Sequence, residues 1–133
     1  MPHVLIVEDS STTRLYYREI LEGSDFVVEE AINGIEALEK AASRSFALFI
    51  VDVNMPKMDG YRFLEQVRRT VELQGVPAIM ISTQARDADQ TKAYAAGANV
   101  YIVKPVDPAT LAAYSRLLAG VTTGSMSSPR MSS

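Results

Sequence analysis

Three carboxylates, a hydroxyl and a lysine each follow directly on a short apolar run. Glu8-Asp9 follows Val4-Leu5-Ile6-Val7, Asp52 follows Phe49-Ile50-Val51, Ser82-Thr83 follows Ile79-Met80-Ile81, and Lys104-Pro105 follows Tyr101-Ile102-Val103. Taken singly, each has an ordinary explanation. An acidic pair favours a helix N-terminus, a polar residue opens a loop, and a lysine lays its stem on apolar surface with its head in water. Brought together, they define a chemistry. Three carboxylates in a small space repel one another, and one or more must protonate unless a cation lies between them. Oxygen ligands with no His or Cys nearby suit Mg2+ or Mn2+, not zinc. A hydroxyl and an ammonium on the far side suit phosphate oxygens. Asp52, on the middle run, is the natural phosphoryl acceptor, because a carboxylate can act as a nucleophile and form an acyl phosphate.

The elements that must position these groups are legible in the hydrophobic pattern. Apolar runs fall at His3–Val7, Phe26–Val28, Phe46–Val51, Pro77–Ile81 and Val100–Val103. Several are continuously apolar and rich in Val and Ile, as strands are when both faces of a parallel sheet are covered. Between them the spacing is helical. Leu15, Ile20 and Leu21 follow the N-cap candidates Ser10 to Thr13; Ile35, Leu38 and Ala42 follow the turn signal Asn33-Gly34; Phe63, Leu64, Val67 and Val71 follow Asp59-Gly60. An alanine-rich stretch from Ala88 to Ala96 stops at Gly97, and Leu111, Tyr114, Leu117 and Leu118 follow Pro108 in a first turn. Five strands alternating with five helices require right-handed crossovers, hence an α/β fold with an open parallel sheet and helices on both faces. Ligands of such sheets bind beyond the carboxyl ends of the strands, which is where Glu8, Asp9, Asp52, Ser82 and Lys104 fall.

Composition narrows the function classes. The chain has 133 residues, 47% hydrophobic and 22% charged, with a net charge of -3. It lacks the basic surplus of a nucleic-acid or anionic-membrane binder. Without cysteine there is no disulfide framework and no thiolate chemistry. The longest apolar runs, Phe46 to Val51 and Val76 to Ile81, are far too short to span a membrane. No basic segment precedes the first apolar run, so a cytoplasmic domain without membrane insertion is expected. From Gly120 the sequence turns small and polar, which predicts one domain over residues 1–119 and a disordered tail, or the start of a linker, over 120–133. His3, the one histidine, is far in sequence from the acidic cluster and is assigned no catalytic role. Tyr16-Tyr17 is expected to be half core and half surface, and Arg68-Arg69 a solvated helical face.

Joined at these positions, Val-Glu-Asp-Ser (7–10), Val-Asp-Val-Asn-Met-Pro-Lys-Met-Asp-Gly (51–60), Ser82-Thr83 and Val-Lys-Pro (103–105) resemble the receiver domains of two-component response regulators. Within that family the likeness is strongest to stand-alone, CheY-like chemotaxis regulators, over about residues 2 to 119. The resemblance implies a flavodoxin-like (βα)5 sheet of order 2-1-3-4-5. It implies that Asp52 takes a phosphoryl group from a histidine kinase phosphohistidine, and that Glu8, Asp9, Asp52 and the Asn54 backbone carbonyl hold Mg2+. Ser82 and Lys104 would bind phosphoryl oxygens, with Tyr101 as the switch aromatic that follows Ser82. Asn54 and Gln84 would tune hydrolysis of the phosphoaspartate, and Pro105 would follow a cis peptide. Three departures stand out: Glu8 where Asp is common, Ser82 in place of Thr, and Thr83 where a small Ala or Gly is usual, which restricts access to Asp52.

The implied function is a monomeric phosphoacceptor switch, self-catalysing its phosphotransfer and dephosphorylation but not otherwise an enzyme. Its readout surface would be the fourth helix, fifth strand and fifth helix, acting on a protein target such as the flagellar motor switch in chemotaxis. The alternatives are a phosphorelay intermediate serving a histidine phosphotransfer protein, and a receiver belonging to a larger regulator or hybrid kinase. An aspartyl phosphatase would place a second aspartate two residues after the nucleophile, and Asn54 there cannot serve as the general acid. A flavodoxin-type electron carrier would need a Ser/Thr-Gly-rich phosphate loop where Glu8-Asp9 stands.

Overall fold

The computed structural model describes residues 1–120. Strands β1 (His3–Val7), β2 (Val27–Ala31), β3 (Leu48–Asp52), β4 (Ala78–Ser82) and β5 (Val100–Val103) alternate with helices α1 (Ser11–Glu22), α2 (Gly34–Ser43), α3 (Gly60–Arg69), α4 (Asp87–Ala96) and α5 (Pro108–Ala119). The strands form one parallel sheet in the order β2-β1-β3-β4-β5. No helix among the described residues is long and apolar enough to cross a membrane.

The unbroken apolar strands follow from burial on both faces. Side chains alternate across a strand, so Leu5, Val7, Phe49, Val51, Ala78 and Met80 join one core with Ala37 and Ala41 of α2, Phe63, Leu64 and Val67 of α3, and Ala93 and Ala96 of α4. Their neighbours Val4, Ile6, Leu48, Ile50, Ile79 and Ile81 join the other core with Tyr17 and Leu21 of α1 and Leu111 of α5. Strand β3 lies between β1 and β4, and every one of its residues is buried.

Helix starts are fixed by side chains that accept orphan N–H groups. Ser10 caps α1 through the Thr13 N–H, Asn33 caps α2 through Glu36, Asp59 caps α3 through Arg62, and Asp107 caps α5 through Thr110. At α2 the Glu36 side chain also accepts the Ile32 N–H at 2.9 Å, a reciprocal arrangement. Helix α4 has no such side-chain bond at Arg86.

Several expectations are corrected. Strand β2 runs on to Ala31 and takes in Glu29 and Glu30; an edge strand with one neighbour tolerates such polar residues. Leu15, Ile35 and Leu117 do not face the core but are exposed, and Val71 lies beyond the end of α3. Small or amphipathic residues take the inward positions instead: Tyr17 on α1, Ala37 and Ala41 on α2, Ala112 and Ser115 on α5. Tyr17 is buried while Tyr16 is partly exposed, dividing that pair between core and surface. Residues 121–133, most of the stretch read as a polar tail, lie outside the described residues; Gly120 caps α5 with a left-handed φ of 75°.

Arg68 is not a solvated residue. Its guanidinium donates to the carbonyl oxygens of Val76 at 2.6 Å, Gly97 at 2.7 Å and Gln74 at 3.2 Å, joining the end of α3 to the β4 approach and the α4 stop. Gly97 is required twice over, because its φ is 119° and a Cβ would lie 2.6 Å from Arg68 Cγ. Arg68→Ala would leave these carbonyls without a charged donor and lower unfolding free energy by about 2 kcal/mol. Exposed Arg69→Ala should stay within about 0.5 kcal/mol of wild type. Urea denaturation of the two variants side by side checks the contrast.

Candidate functional site

Strands β1 and β3 are neighbours: from β1 the chain moves to one side to form β2, then crosses back past β1 to form β3 on the other. The crevice beyond their carboxyl ends is therefore a topological switch point. Register does the rest. Val7 lies opposite Val51 and Asp52 opposite Ile81, so Glu8 and Asp9 leave β1 beside Asp52. Glu8, Asp9 and Asp52 each offer a carboxylate oxygen within 4.8 Å of the others. Glu8 and Asp52 are buried, while Asp9 is exposed. Ser82 lies opposite Val103, and the Lys104 N–H donates to the Ser82 carbonyl at 2.8 Å, which brings the fifth strand's lysine to the same edge. Its ammonium stands 3.0 Å from Asp52 Oδ1 and 3.7 Å from Glu8 Oε1.

Glycine lets the flanking loop close on Asp52. A Cβ on Gly60 would lie 2.4 Å from the Asp52 carbonyl oxygen, and the Gly60 N–H donates to the Val53 carbonyl at 2.9 Å. Helix α3 therefore begins in direct contact with the end of β3. Gly34 likewise admits Met58, whose Cγ would be 2.8 Å from a Cβ there. The peptide between Lys104 and Pro105 is cis, as the resemblance implied.

The electrostatics are strained by burial. One oxygen of Glu8, Oε2, accepts the Ser10 N–H at 2.9 Å, but Oε1 is buried with no hydrogen-bond partner. Burial pushes the Glu8 carboxyl up to about 7; the Ser10 N–H opposes this and the charge of Asp52 adds to it. Burial also raises the pKa of Asp52, although Lys104 pulls it down by hydrogen bond and charge. For Lys104, burial alone would lower the pKa, but the Asp52 hydrogen bond and the charges of Asp52, Glu8 and Asp9 outweigh it and raise it. A buried, unpartnered carboxylate oxygen among three convergent carboxylates fits a hard divalent cation.

The other expected residues gather around this cluster. Ser82 is buried and its Oγ accepts the Gln84 N–H at 3.0 Å, while Tyr101 donates from its hydroxyl to the Gln84 carbonyl at 2.6 Å. Tyr101 is half-buried against the core shared by α2, α3 and α4. Asn54, Thr83 and Gln84 are exposed at the rim. Thr83 and Lys104 also line a cleft of about 590 Å³ with Thr12, Thr13, Tyr16, Tyr17, Pro105 and Val106. Sequence reasoning left two contributors unassigned. Tyr16 closes part of this cleft by donating to the Val106 carbonyl at 2.9 Å, and Arg14 donates to the backbone carbonyls of Glu8 and Asp9. Neither has a local signal, since both act on backbone that only the fold brings near.

This arrangement, an acidic pocket with a lysine and a buried hydroxyl at the carboxyl edge of a parallel sheet, defines a class of domain, and comparison with known proteins names the family. The response regulator receiver domain model matches residues 4–116, and the chain belongs to that family. Vibrio cholerae chemotaxis protein CheY4 is 35% identical with a TM-score of 0.84, covering 89% of this chain and 98% of that one. The receiver domain of sensor histidine kinase PA1611 from Pseudomonas aeruginosa PAO1, described with a magnesium ion coordinated in its active site cleft, is 25% identical with a TM-score of 0.83, covering 90% of this chain and 98% of that one. The transcriptional regulatory protein ResD of Bacillus subtilis is 33% identical over 105 residues, 79% of this chain, and the chain spans 42% of its length. A 14.6 kDa protein of Leptolyngbya boryana is 37% identical over 108 residues, 81% of this chain and 82% of that protein. Receiver domains bind Mg2+ at an acidic pocket, and Glu8, Asp9 and Asp52 form one here.

The raised Glu8 pKa fixes the sign of a pH dependence. Folded Glu8 keeps a proton that the unfolded carboxyl, near 4.5, releases, so this stabilising contribution is full below that value and is lost as pH rises through about 7. Without divalent ions, wild type should therefore lose on the order of 2 kcal/mol more than Glu8→Gln between about pH 5 and about pH 8. Saturating MgCl2 should restore wild type at the higher pH. Urea denaturation of both proteins, with and without the ion, checks it; equal pH slopes in the ion-free proteins would refute it.

Proposed function

We propose that this receiver is a phosphorylation-operated switch in which Asp52 accepts a phosphoryl group from the phosphohistidine of a histidine kinase. The observation that carries the reading is the Asp52 carboxylate itself, held 3.0 Å from Lys104 beside the unpartnered Oε1 of Glu8. Receiver domains partner with histidine kinases. Glu8, Asp9, Asp52 and the carbonyl of Asn54 would hold Mg2+ or Mn2+. When bound, the ion supplies neutralising charge for the carboxylates and the incoming phosphoryl oxygens. Asp52 provides the attacking oxygen, and the bond to the donor nitrogen breaks as the new oxygen–phosphorus bond forms. Lys104, already paired with Asp52, can turn its ammonium to a phosphoryl oxygen. Ser82 can do the same with its hydroxyl, whose oxygen accepts the Gln84 N–H and whose proton can be donated to the phosphoryl group.

That rearrangement would reach the surface through two bonds. Ser82 accepts from Gln84 and Tyr101 donates to Gln84, so a Ser82 hydroxyl drawn toward the phosphoryl group alters the segment that holds Tyr101. Tyr101 lies on β5 between α4 and α5, where Tyr94, Tyr114 and Leu117 are exposed. This α4–β5–α5 face is the proposed readout surface for a protein target, and chemotaxis, with the flagellar motor switch as target, is the proposed setting. A second reading follows from the neighbour that is a receiver domain of a sensor histidine kinase and from ResD, of which this chain spans less than half. On that reading the domain serves a phosphorelay or a larger regulator, passing the group to a histidine phosphotransfer protein or to an attached output module.

Amide NMR spectra recorded on adding acetyl phosphate test the switch. Wild type should show a reversible, Mg2+-dependent change centred on Asp52 and spreading to Gln84, Tyr101 and α4. Asp52→Asn should show none of it. Spectra unchanged in wild type with both acetyl phosphate and a histidine kinase donor would refute the reading. If Thr83 restricts entry, Thr83→Ala should reach the phosphorylated spectrum faster with acetyl phosphate, while the spectrum finally reached stays the same.

A further inference from the structure

The Glu8 and Asp9 carboxylates rise from backbone that the sheet barely holds. Strand β1 ends at Val7, and the Glu8 N–H to the Ala31 carbonyl, at 3.0 Å, is the last bond tying this segment to β2. Beyond it, a single guanidinium takes over. Nη1 of Arg14 donates to the Glu8 carbonyl at 2.8 Å and to the Asp9 carbonyl at 3.1 Å. Its Nε donates to Glu30 Oε1 at 2.7 Å, and the other oxygen of Glu30 accepts from Arg18 Nε at 2.5 Å. Arg18 in turn donates to Glu22 at 2.7 Å. Arg14 is therefore fixed from behind by an edge-strand carboxylate, with 15% of its side chain exposed, while its front gathers the carbonyl oxygens of both residues of the acidic pair.

We propose that Arg14 is the positioning residue of the cation site, setting the directions in which the Glu8 and Asp9 carboxylates leave the backbone. The inference rests on the metal-binding reading of those carboxylates. A planar guanidinium with donors in a fixed fork can fix two carbonyls and a carboxylate at once; an ammonium on a flexible stem cannot. The consequence is selectivity. Mg2+ demands near-octahedral oxygen placement at short distances, whereas Ca2+ accepts more ligands in a looser, longer arrangement. A site whose acidic arm is rigid favours the smaller ion, and loosening the arm removes that preference. Groups that orient a metal's ligands typically contribute about 10- to 100-fold in affinity.

Separate titrations of Mg2+ and Ca2+ into wild type, Arg14→Ala, Arg14→Lys and Arg18→Ala, followed by amide NMR shifts, decide it. Both Arg14 variants should lose about tenfold or more in Mg2+ affinity, with a smaller loss for Ca2+, so that the ratio of the two affinities falls. Arg18→Ala strips the same Glu30 of a partner without touching the carbonyls, and should bind both ions as wild type does. If Arg14→Ala does not fold, Arg14→Lys, which keeps the charge, carries the comparison alone. Wild-type affinity in Arg14→Lys would make charge the cause and overturn the proposal. Equal losses for the two ions, or the same loss in Arg18→Ala, would reduce Arg14 to fold support and also overturn it. Wild type without a Mg2+ response would fail differently, removing the metal reading and this inference with it.

Discussion

The ammonium of Lys104 faces more negative charge than it can balance. It lies 3.0 Å from Asp52 and 3.7 Å from Glu8, with Asp9 completing a trio of carboxylates whose oxygens lie within 4.8 Å of one another. Like charges this close resist burial, and two of the three carboxylates are buried. What holds them there is the sheet. Apolar side chains from β1, β3 and β4 fill both cores, and their burial fixes the strand ends to which the charged groups are attached. The site stores an unmet demand for positive charge that the fold sustains and a cation can satisfy.

The surroundings keep that demand from relaxing. Gly60 brings the start of α3 against the Asp52 carbonyl, and the α1 N-terminus sits just after Asp9, capped by Ser10. Arg14, held from behind by Glu30, braces the acidic pair from the edge strand. On the other side, Ser82 and Tyr101 meet at the two ends of the Gln84 residue, so Ser82 and the β5 surface share one backbone segment. Helix α4, downstream of that segment, buries only Ala93 and Ala96 and starts without a side-chain cap bond. It also carries Lys92, whose ammonium lies 4.4 Å above the centre of the Tyr61 ring. With so little of its surface in the core, α4 is the element on which the proposed switch would act.

Much of this is legible in the sequence because its signals are local. Continuous Val and Ile runs mark strands covered on both faces, and the residue after each run must lie at the carboxyl edge. The hydrophobic pattern alone thus assembles Glu8, Asp9, Asp52, Ser82 and Lys104 at one edge. Asn33-Gly34, read as a turn signal, and Asp59-Gly60 do precede helices, and the structure adds the reason: Asn33 and Asp59 cap them. What escapes is set by tertiary neighbours. Arg68 has the pattern of a surface residue, yet it serves carbonyls of two distant segments, and Arg14 serves carbonyls near its own helix start only because the loop folds back. Leu15 and Leu117 fit a helical stripe but lie exposed, because Tyr17 and Ala112 point inward on the same helices. Strand β2 reads short because its glutamates break an apolar run that an edge position does not require.

The central claim is that the phosphoryl group resides on Asp52, as an acyl phosphate. Borohydride reduces an acyl phosphate to the alcohol, converting a phosphorylated aspartate to homoserine. Peptide mapping by mass spectrometry, after phosphorylation with Mg2+ and reduction, reads the position directly. Homoserine at position 52, with no conversion when Mg2+ is withheld, is the predicted result. Homoserine at position 9, the reduced homologue of glutamate at position 8, or no conversion anywhere in a protein that has taken up phosphate, would contradict it.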